Sequence, residues 1–213
     1  MSGSVFEASE LKFRCPAGMV VSGPSSSGKT TWLMKFIDHC SVLIDPPPAQ
    51  ILYAYGEFHH HVPELEKKGV LTYSGLPSED VIDSCKKPLL LILDDLMLAS
   101  TEEYLSNLYT KKAHHRNIFA VFLTQNLYDK QLKVARNNAQ YIVLMKAPNA
   151  ALQIRTLGSQ LFPGRLPYFL DAYNKATENN YGYLLLDLHA SSPPELRLRT
   201  NIFPADDHTV FIP

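Results

Sequence analysis

The sequence predicts an α/β fold built on a mainly parallel sheet with helices on both faces. Short apolar runs alternate along the chain with stretches of helical periodicity, the pattern of repeated strand–helix–strand units. Several runs are apolar at both alternating positions, as strands covered by two helical layers are. The 213 residues, 46% of them apolar, suit one globular domain with at most a small appendage.

The elements follow in order. Met19–Ser22 is the first strand candidate; a Gly/Ser loop follows it. Leu33, Phe36, Ile37 and Cys40 then fall at i, i+3, i+4 and i+7, one face of a helix. Ile51–Tyr55, Leu71–Tyr73 and Leu89–Asp94 read as three further strands, with the prolines at 46–48 marking a loop before them. Ser100-Thr-Glu-Glu103 has capping-box spacing ahead of a stripe of Tyr104, Leu105, Leu108 and Tyr109. Ile118–Thr124, Tyr141–Met145 and Tyr183–Asp187 complete the strands, with helices expected over 127–137, 149–160 and 165–178. The spacing assigns 1–180 to one domain and 181–213 to a strand-and-turn extension packed on it, the latter holding Pro193, Pro194, Pro204 and Pro213.

The chemistry gathers in "VVSGPSSSGKTTWLMKFI", residues 20–37. Gly23, Pro24, Ser25, Ser26, Ser27, Gly28, Lys29 and Thr30 fit G-x-x-x-x-G-K-[ST], with Thr31 next in the helix. A triphosphate carries several negative charges. Successive backbone N–H groups and the dipole of the following helix can cradle them, and glycines allow the close approach. Lys29 supplies a point charge to the β- and γ-phosphates, and the Thr30 hydroxyl is a ligand for Mg²⁺. The motif follows a strand and opens an amphipathic helix, which is the context it requires. The expected ligands are therefore ATP and Mg²⁺.

Two further strands end in polar groups. Leu89-Leu-Leu-Ile-Leu-Asp94-Asp95 delivers two carboxylates to a strand's carboxyl end, the edge at which open α/β sheets bind ligands. Asp94 is the candidate Mg²⁺ ligand, acting through a bridging water, and Asp95 the group that polarises the attacking water; the plain alternative for Asp95 is a cap or a solvated acid. Ile118–Thr124 runs into Gln125 and Asn126. An amide there can hold a water against the γ-phosphate. Gln125 takes that sensing role with Asn126 as alternate, and an ordinary turn is the competing reading.

With those three strand tips placed, the chain resembles the additional-strand P-loop ATPases, RecA-like proteins in which the sensor strand lies between the phosphate-loop and acid strands. More narrowly it resembles the poxvirus-type DNA-packaging ATPases of the FtsK/HerA superfamily, above all those of Maverick/Polinton elements and related double-stranded DNA viruses. The resemblance rests on "GPSSSGKTTWLMKFI", "ILYAYGEF", "LLLILDDLM", "HHRNIFAVFLTQNLY" and "YLLLDLH…LRLRTNIF", and covers roughly residues 16 to 205. It implies an ATP-hydrolysing motor that threads double-stranded DNA, whatever its sequence, into a capsid within an infected cell. It also implies a homo-oligomeric ring, pentamer or hexamer, and capsid portal or vertex proteins as partners. In it Lys29 and Thr30 match the phosphate and magnesium positions, Asp94 the magnesium acid and Gln125 the sensor, while Asp95 stands where many relatives have Glu. Such rings complete each site with an arginine from the neighbour. Arg116, placed before the sensor strand at the edge away from its own phosphates, is the first candidate, with Arg136 and Arg155 behind it and a solvated surface arginine as the bland alternative.

The remaining features weigh less. His59-His60-His61 reads as a solvated loop rather than a metal site, because consecutive side chains point in different directions. Lys111, Lys112, His114, His115 and Arg116 form a basic stretch that suits either phosphate-backbone contact or a wet helix end. Lys130, Lys133 and Arg136 repeat at three-residue spacing, and Trp32 reads as a core or interface residue. The net charge of −1 excludes a chain that attracts DNA or acidic membranes as a whole. Three separated cysteines match no zinc or disulfide pattern, which points to a reduced, intracellular setting. With no long apolar run, and with Glu7, Glu10, Lys12 and Arg14 near the start, no membrane span or signal peptide is expected. Two other readings remain: a small nucleoside or nucleotide kinase, and an assembly scaffold that binds nucleotide with little turnover.

Overall fold

The structure, a computed structural model, describes residues 11–213, with Lys111, Lys112 and His114 described in backbone alone. Glu7 and Glu10, and the side chains of that basic stretch apart from His115 and Arg116, therefore lie outside the described residues. Nine strands make one sheet among them, in the order β11-β10-β9-β8-β2-β7-β6-β4-β5. From the middle outward these are β2 (Ala17–Ser22), β7 (Ile118–Thr124), β6 (Leu89–Asp94), β4 (Gln50–Tyr55) and β5 (Leu71–Ser74) on one side. On the other side stand β8 (Tyr141–Met145), β9 (Tyr183–Asp187), β10 (Leu198–Thr200) and β11 (Thr209–Val210). Strands β2, β4, β5, β6, β7 and β8 run parallel, and β9, β10 and β11 alternate in direction beyond them. A small parallel pair, β1 (Phe13–Arg14) with β3 (Ile44–Asp45), lies apart.

The continuous apolar runs are explained by two cores, one on each face. Along β6, Leu89, Leu91 and Leu93 enter one core, and Leu90 and Ile92 enter the other. Along β7, Ile118, Ala120 and Phe122 alternate with Phe119, Val121 and Leu123 in the same way. Helices α1 (Lys29–Leu43) and α2 (His61–Lys67) cover one face through Trp32, Leu33, Phe36, Val62 and Leu65. The other face carries α3 (Glu79–Ser84), α4 (Glu102–Asn107), α5 (Ala113–His115), α6 (Lys133–Asn138), α7 (Ala151–Leu161) and α8 (Leu166–Ala176). Trp32 is a core residue, its ring stacked on Phe36 with centroids 5.1 Å apart. No helix among the described residues is long and apolar enough to cross a membrane.

One expected detail shifts by a residue. The cap of α4 is Thr101, whose Oγ1 accepts the Tyr104 N–H at 3.1 Å, and not Ser100. The Ser100 hydroxyl instead donates back to the Leu96 carbonyl. Helix α4 then continues through a π-type turn, Leu108–Lys112, into α5. The edge strands are tied down by a buried ion pair. Arg199 of β10 donates to Asp187 of β9 at 2.8 Å and to the Leu11 carbonyl at 2.7 Å, and both charged side chains are almost fully buried.

Candidate active site

Register brings three strand ends into one row. Ser22 of β2 pairs with Thr124 of β7, and Leu93 of β6 with Phe122 of β7, so Gly23, Asp94 and Gln125 leave the sheet at the same edge. The sensor-tipped strand lies between the loop-bearing and acid-bearing ones, as the additional-strand resemblance implies. A cavity of about 600 Å³ opens there, lined by Ser25, Ser26, Lys29, Thr30, Asp94, Asp95 and Gln125 among others. That volume is within the range of small-molecule sites, roughly 300–1,000 Å³.

The loop is shaped for an anion. Ser26 at φ 63° and Gly28 at φ 95° take left-handed conformations, which turn successive N–H groups toward one concavity. Gly28 caps α1 without a side-chain bond, so the first N–H groups of this 15-residue helix have no side-chain acceptor. Lys29 Nζ donates to the Gly23 carbonyl at 2.6 Å and the Pro24 carbonyl at 3.0 Å. An ammonium has three donors, so one remains for a ligand.

Electrostatics gives a sharper test of fit. Burial pulls the Lys29 ammonium below its ordinary range, and Asp94 and Asp95 oppose that pull. Burial likewise pushes the Asp94 carboxyl up, against the Tyr53 hydrogen bond, His59 and Lys29. Each group is thus a buried charge short of compensation. A phosphate would relieve Lys29, and a divalent cation would relieve Asp94. Among the described residues no group of three or more His, Cys, Asp and Glu could hold a metal ion by itself. Mg²⁺ needs no such cage, because it takes one or two protein ligands and completes its shell with phosphates and water. Asp94 with the Thr30 hydroxyl is a sufficient protein share.

Asp95 is exposed and held at φ 52°, a left-handed conformation that costs a side-chain-bearing residue roughly 1–2 kcal/mol. Its neighbour across the sheet explains how this persists. The Gly56 N–H donates to the Asp94 carbonyl at 3.0 Å, and a Cβ on Gly56 would lie 2.2 Å from the Asp95 carbonyl oxygen. Glycine is what lets the two strand ends close and turn the second carboxylate over the cavity. Gln125 and Asn126 are both exposed and both line the cavity. Asn126 Oδ1 accepts the Tyr128 N–H at 2.9 Å in a turn, while the Gln125 side chain bonds to no other described residue.

The sequence reading did not find two of the neighbours. Tyr53, on β4, is 1% exposed, and its hydroxyl donates to Asp94 Oδ2 at 2.6 Å. The Tyr53 hydroxyl oxygen also lies 2.7 Å from His59 Nε2. Tyr53 has one proton and gives it to Asp94, so His59 supplies its own from Nε2. Burial holds the His59 imidazolium below the ordinary histidine range, chiefly against the pull of Asp94. His59, His60 and His61 all line the cavity, with His60 exposed and the other two half-buried, so the run meets solvent along the pocket wall. The available signal was "ILYAYGEF": Tyr55 pairs with Asp94 in register, and Tyr53, two residues back on the same face, reaches the acid diagonally.

The three arginines lie away from the cavity. Arg116, at the far end of β7, binds Asp83 at 2.7 Å and Glu79 at 3.3 Å on α3. Arg136 donates to the Leu127 carbonyl at 3.0 Å and lies over the Tyr128 ring, 4.3 Å from its centroid. Arg155 is exposed on α7 and its guanidinium makes no hydrogen bond or ion pair with another described residue.

No protein-family model matches the chain, and no curated protein matches it by sequence. Solved structures do match. The genome-packaging NTPase B204 of Sulfolobus turreted icosahedral virus 2, in complex with sulfate, superposes with a TM-score of 0.55 at 14% identity, over 84% of this chain and 94% of that one. The same protein in complex with ATP-gammaS gives 0.55 at 15% identity, over 84% and 95%. B204, the DNA-packaging ATPase from Sulfolobus turreted icosahedral virus, gives 0.53 at 14% identity, over 82% and 94%. At such identities the likeness is one of architecture: this chain has the α/β fold of the P-loop NTPases, a mostly parallel sheet with helices on both faces and short strands at its C-terminal side.

Proposed function

We propose that this chain is a Mg²⁺-dependent ATPase that packages viral double-stranded DNA into a capsid. The observation that carries the reading is the convergence of Lys29, Thr30, Asp94, Asp95 and Gln125 on one cavity at the tips of three adjacent strands. The likeness in fold to a packaging NTPase, spanning nearly the whole of both chains, supports it. The block order and the DDLM sequence favour relatives in Maverick/Polinton elements and similar viruses. Residues 1–180 serve as the engine, with 181–213 as its extension, and the work is done in the infected cell where virions assemble.

The reaction is in-line attack of water on the γ-phosphate, and the residues act by position and charge. The loop N–H groups and Lys29 hold the β- and γ-phosphates. Thr30 and Asp94 would hold Mg²⁺, which when bound offsets charge on the transferred group. Asp95 orients the water. Gln125, which lines the same cavity, would meet the terminal phosphate through its amide and lose that contact when phosphate leaves. Duplex contacts are to the backbone, and affinity accordingly falls with salt. The ring closes each site with a neighbour's arginine. Arg155, whose guanidinium is unengaged, takes precedence over Arg116 and Arg136, which already have partners. Capsid portal or vertex proteins receive the ring.

Phosphate release measured with and without duplex DNA tests this. Turnover should be stimulated by DNA, should rise more steeply than linearly with protein concentration, and should vanish in Lys29→Ala. Robust hydrolysis by Lys29→Ala would remove the site, and phosphorylation of an added nucleoside without DNA stimulation would replace the motor with a kinase.

A further inference from the structure

A second cavity lies against the other flank of the phosphate loop. Its volume is about 240 Å³, and Gly28, Thr31, Asn179, Asn180 and Tyr181 are among the residues that line it. The catalytic groups on β6 and β7 lie to one side of β2, while this cavity lies toward β9 and β10 on the other. A triphosphate whose terminal phosphate faces Asp95 and Gln125 must direct its nucleoside away from them. The flank at Gly28 and Thr31 is where that end emerges.

Tyr181 is built in an unusual way for a surface residue. It sits at φ 63°, its side chain is 62% exposed, and its ring lies close enough to Gly28 that a Cβ there would meet it at 2.7 Å. A flat aromatic face is thus held in a strained backbone beside the loop, with no ring of another described residue stacked on it. The side-chain amides of Asn179 and Asn180 bond to no other described residue. An amide presents a donor and an acceptor side by side, which matches the N6/N7 edge of adenine. The cavity is smaller than a whole drug-sized site, as suits a compartment for one end of a ligand.

We infer that this cavity is the nucleobase compartment, in which Tyr181 stacks an adenine ring and the Asn179–Asn180 amides read its edge. The inference rests on the triphosphate reading of the loop and adds to it the means of choosing the nucleotide. Stacking of a base on an aromatic side chain is worth about 1–3 kcal/mol by alanine substitution, so Tyr181→Ala should weaken ATP binding roughly 5- to 100-fold.

The test is binding of ATP, CTP and inorganic tripolyphosphate to the full chain and to two variants by calorimetry. Wild type should prefer ATP over both others. Tyr181→Ala should lose most of that preference with tripolyphosphate binding unchanged, and Tyr181→Phe should keep it. Undiminished ATP preference in Tyr181→Ala overturns the inference. So does equal wild-type affinity for ATP and tripolyphosphate, which leaves the phosphate site standing. Wild type that binds none of the three overturns both.

Discussion

Removal of one oxygen, in Tyr53→Phe, tests whether the acid of β6 is held in place or merely present. The Tyr53 ring is buried in the core under α1 and α2, and phenylalanine fills the same space. What is lost is the hydroxyl that donates to Asp94 at 2.6 Å and accepts from His59 at 2.7 Å. A hydrogen bond to a charged group contributes about 1.5–3 kcal/mol. The cavity is open to water, which replaces part of this, so the lower half of that range applies. If it is spent on orienting Asp94, kcat/KM should fall roughly 10- to 40-fold, since 1.4 kcal/mol is about one factor of ten. The signature is in the metal dependence: the Mg²⁺ concentration giving half-maximal hydrolysis should rise by a similar factor, because the displaced group is the carboxylate proposed to hold the metal. Steady-state phosphate release across a Mg²⁺ series, with circular dichroism to confirm the fold, reads both. Activity within twofold of wild type at every Mg²⁺ concentration would refute the positioning role.

Other perturbations follow from the same geometry. Gly56→Ala should cut turnover at least tenfold while ATP binding persists, because its Cβ, 2.2 Å from the Asp95 carbonyl, must displace the water-orienting turn and not the phosphate loop; nucleotide titration beside a turnover assay checks it. Arg155→Ala should abolish DNA-stimulated hydrolysis with nucleotide affinity intact. Arg116→Ala should leave hydrolysis in place and change stability by no more than about 1 kcal/mol, since its ion pairs are at the surface. Arg199→Ala leaves Asp187 buried and uncompensated, at a cost of about 3–5 kcal/mol. For a chain of this length that lowers Tm by about 6–20 °C in calorimetry, and a drop under about 3 °C would contradict it.

The strands were legible because β6, β7, β8 and β9 are buried on both faces, which writes continuous apolar runs into the chain. The phosphate loop and Asp94 were legible because their chemistry is local: a glycine-spaced loop after one strand, carboxylates at the end of another. Tyr53 and His59 were not. They join Asp94 only because β4 pairs beside β6 in a particular register, and pairing is a property of the sheet and not of either segment. Tyr181 was hidden for a similar reason, since its neighbour Gly28 is more than 150 residues away in the chain. The α4 cap moved from Ser100 to Thr101 because Thr101, at φ −101° and ψ 157°, has the extended backbone of a cap, while the Ser100 hydroxyl is spent on the Leu96 carbonyl.

β7 is bonded along both flanks, to β2 and to β6, and every one of its seven residues is buried. A strand clamped on two sides is an anvil. On the proposed function, loss of the terminal phosphate would be felt first by the short arm past the tip of β7, residues 125–138, which leaves the strand through the Asn126 turn and is braced by Arg136 against Leu127 and Tyr128. On that same reading the reach of the arm, rather than any deformation of the sheet, would set the step taken per ATP.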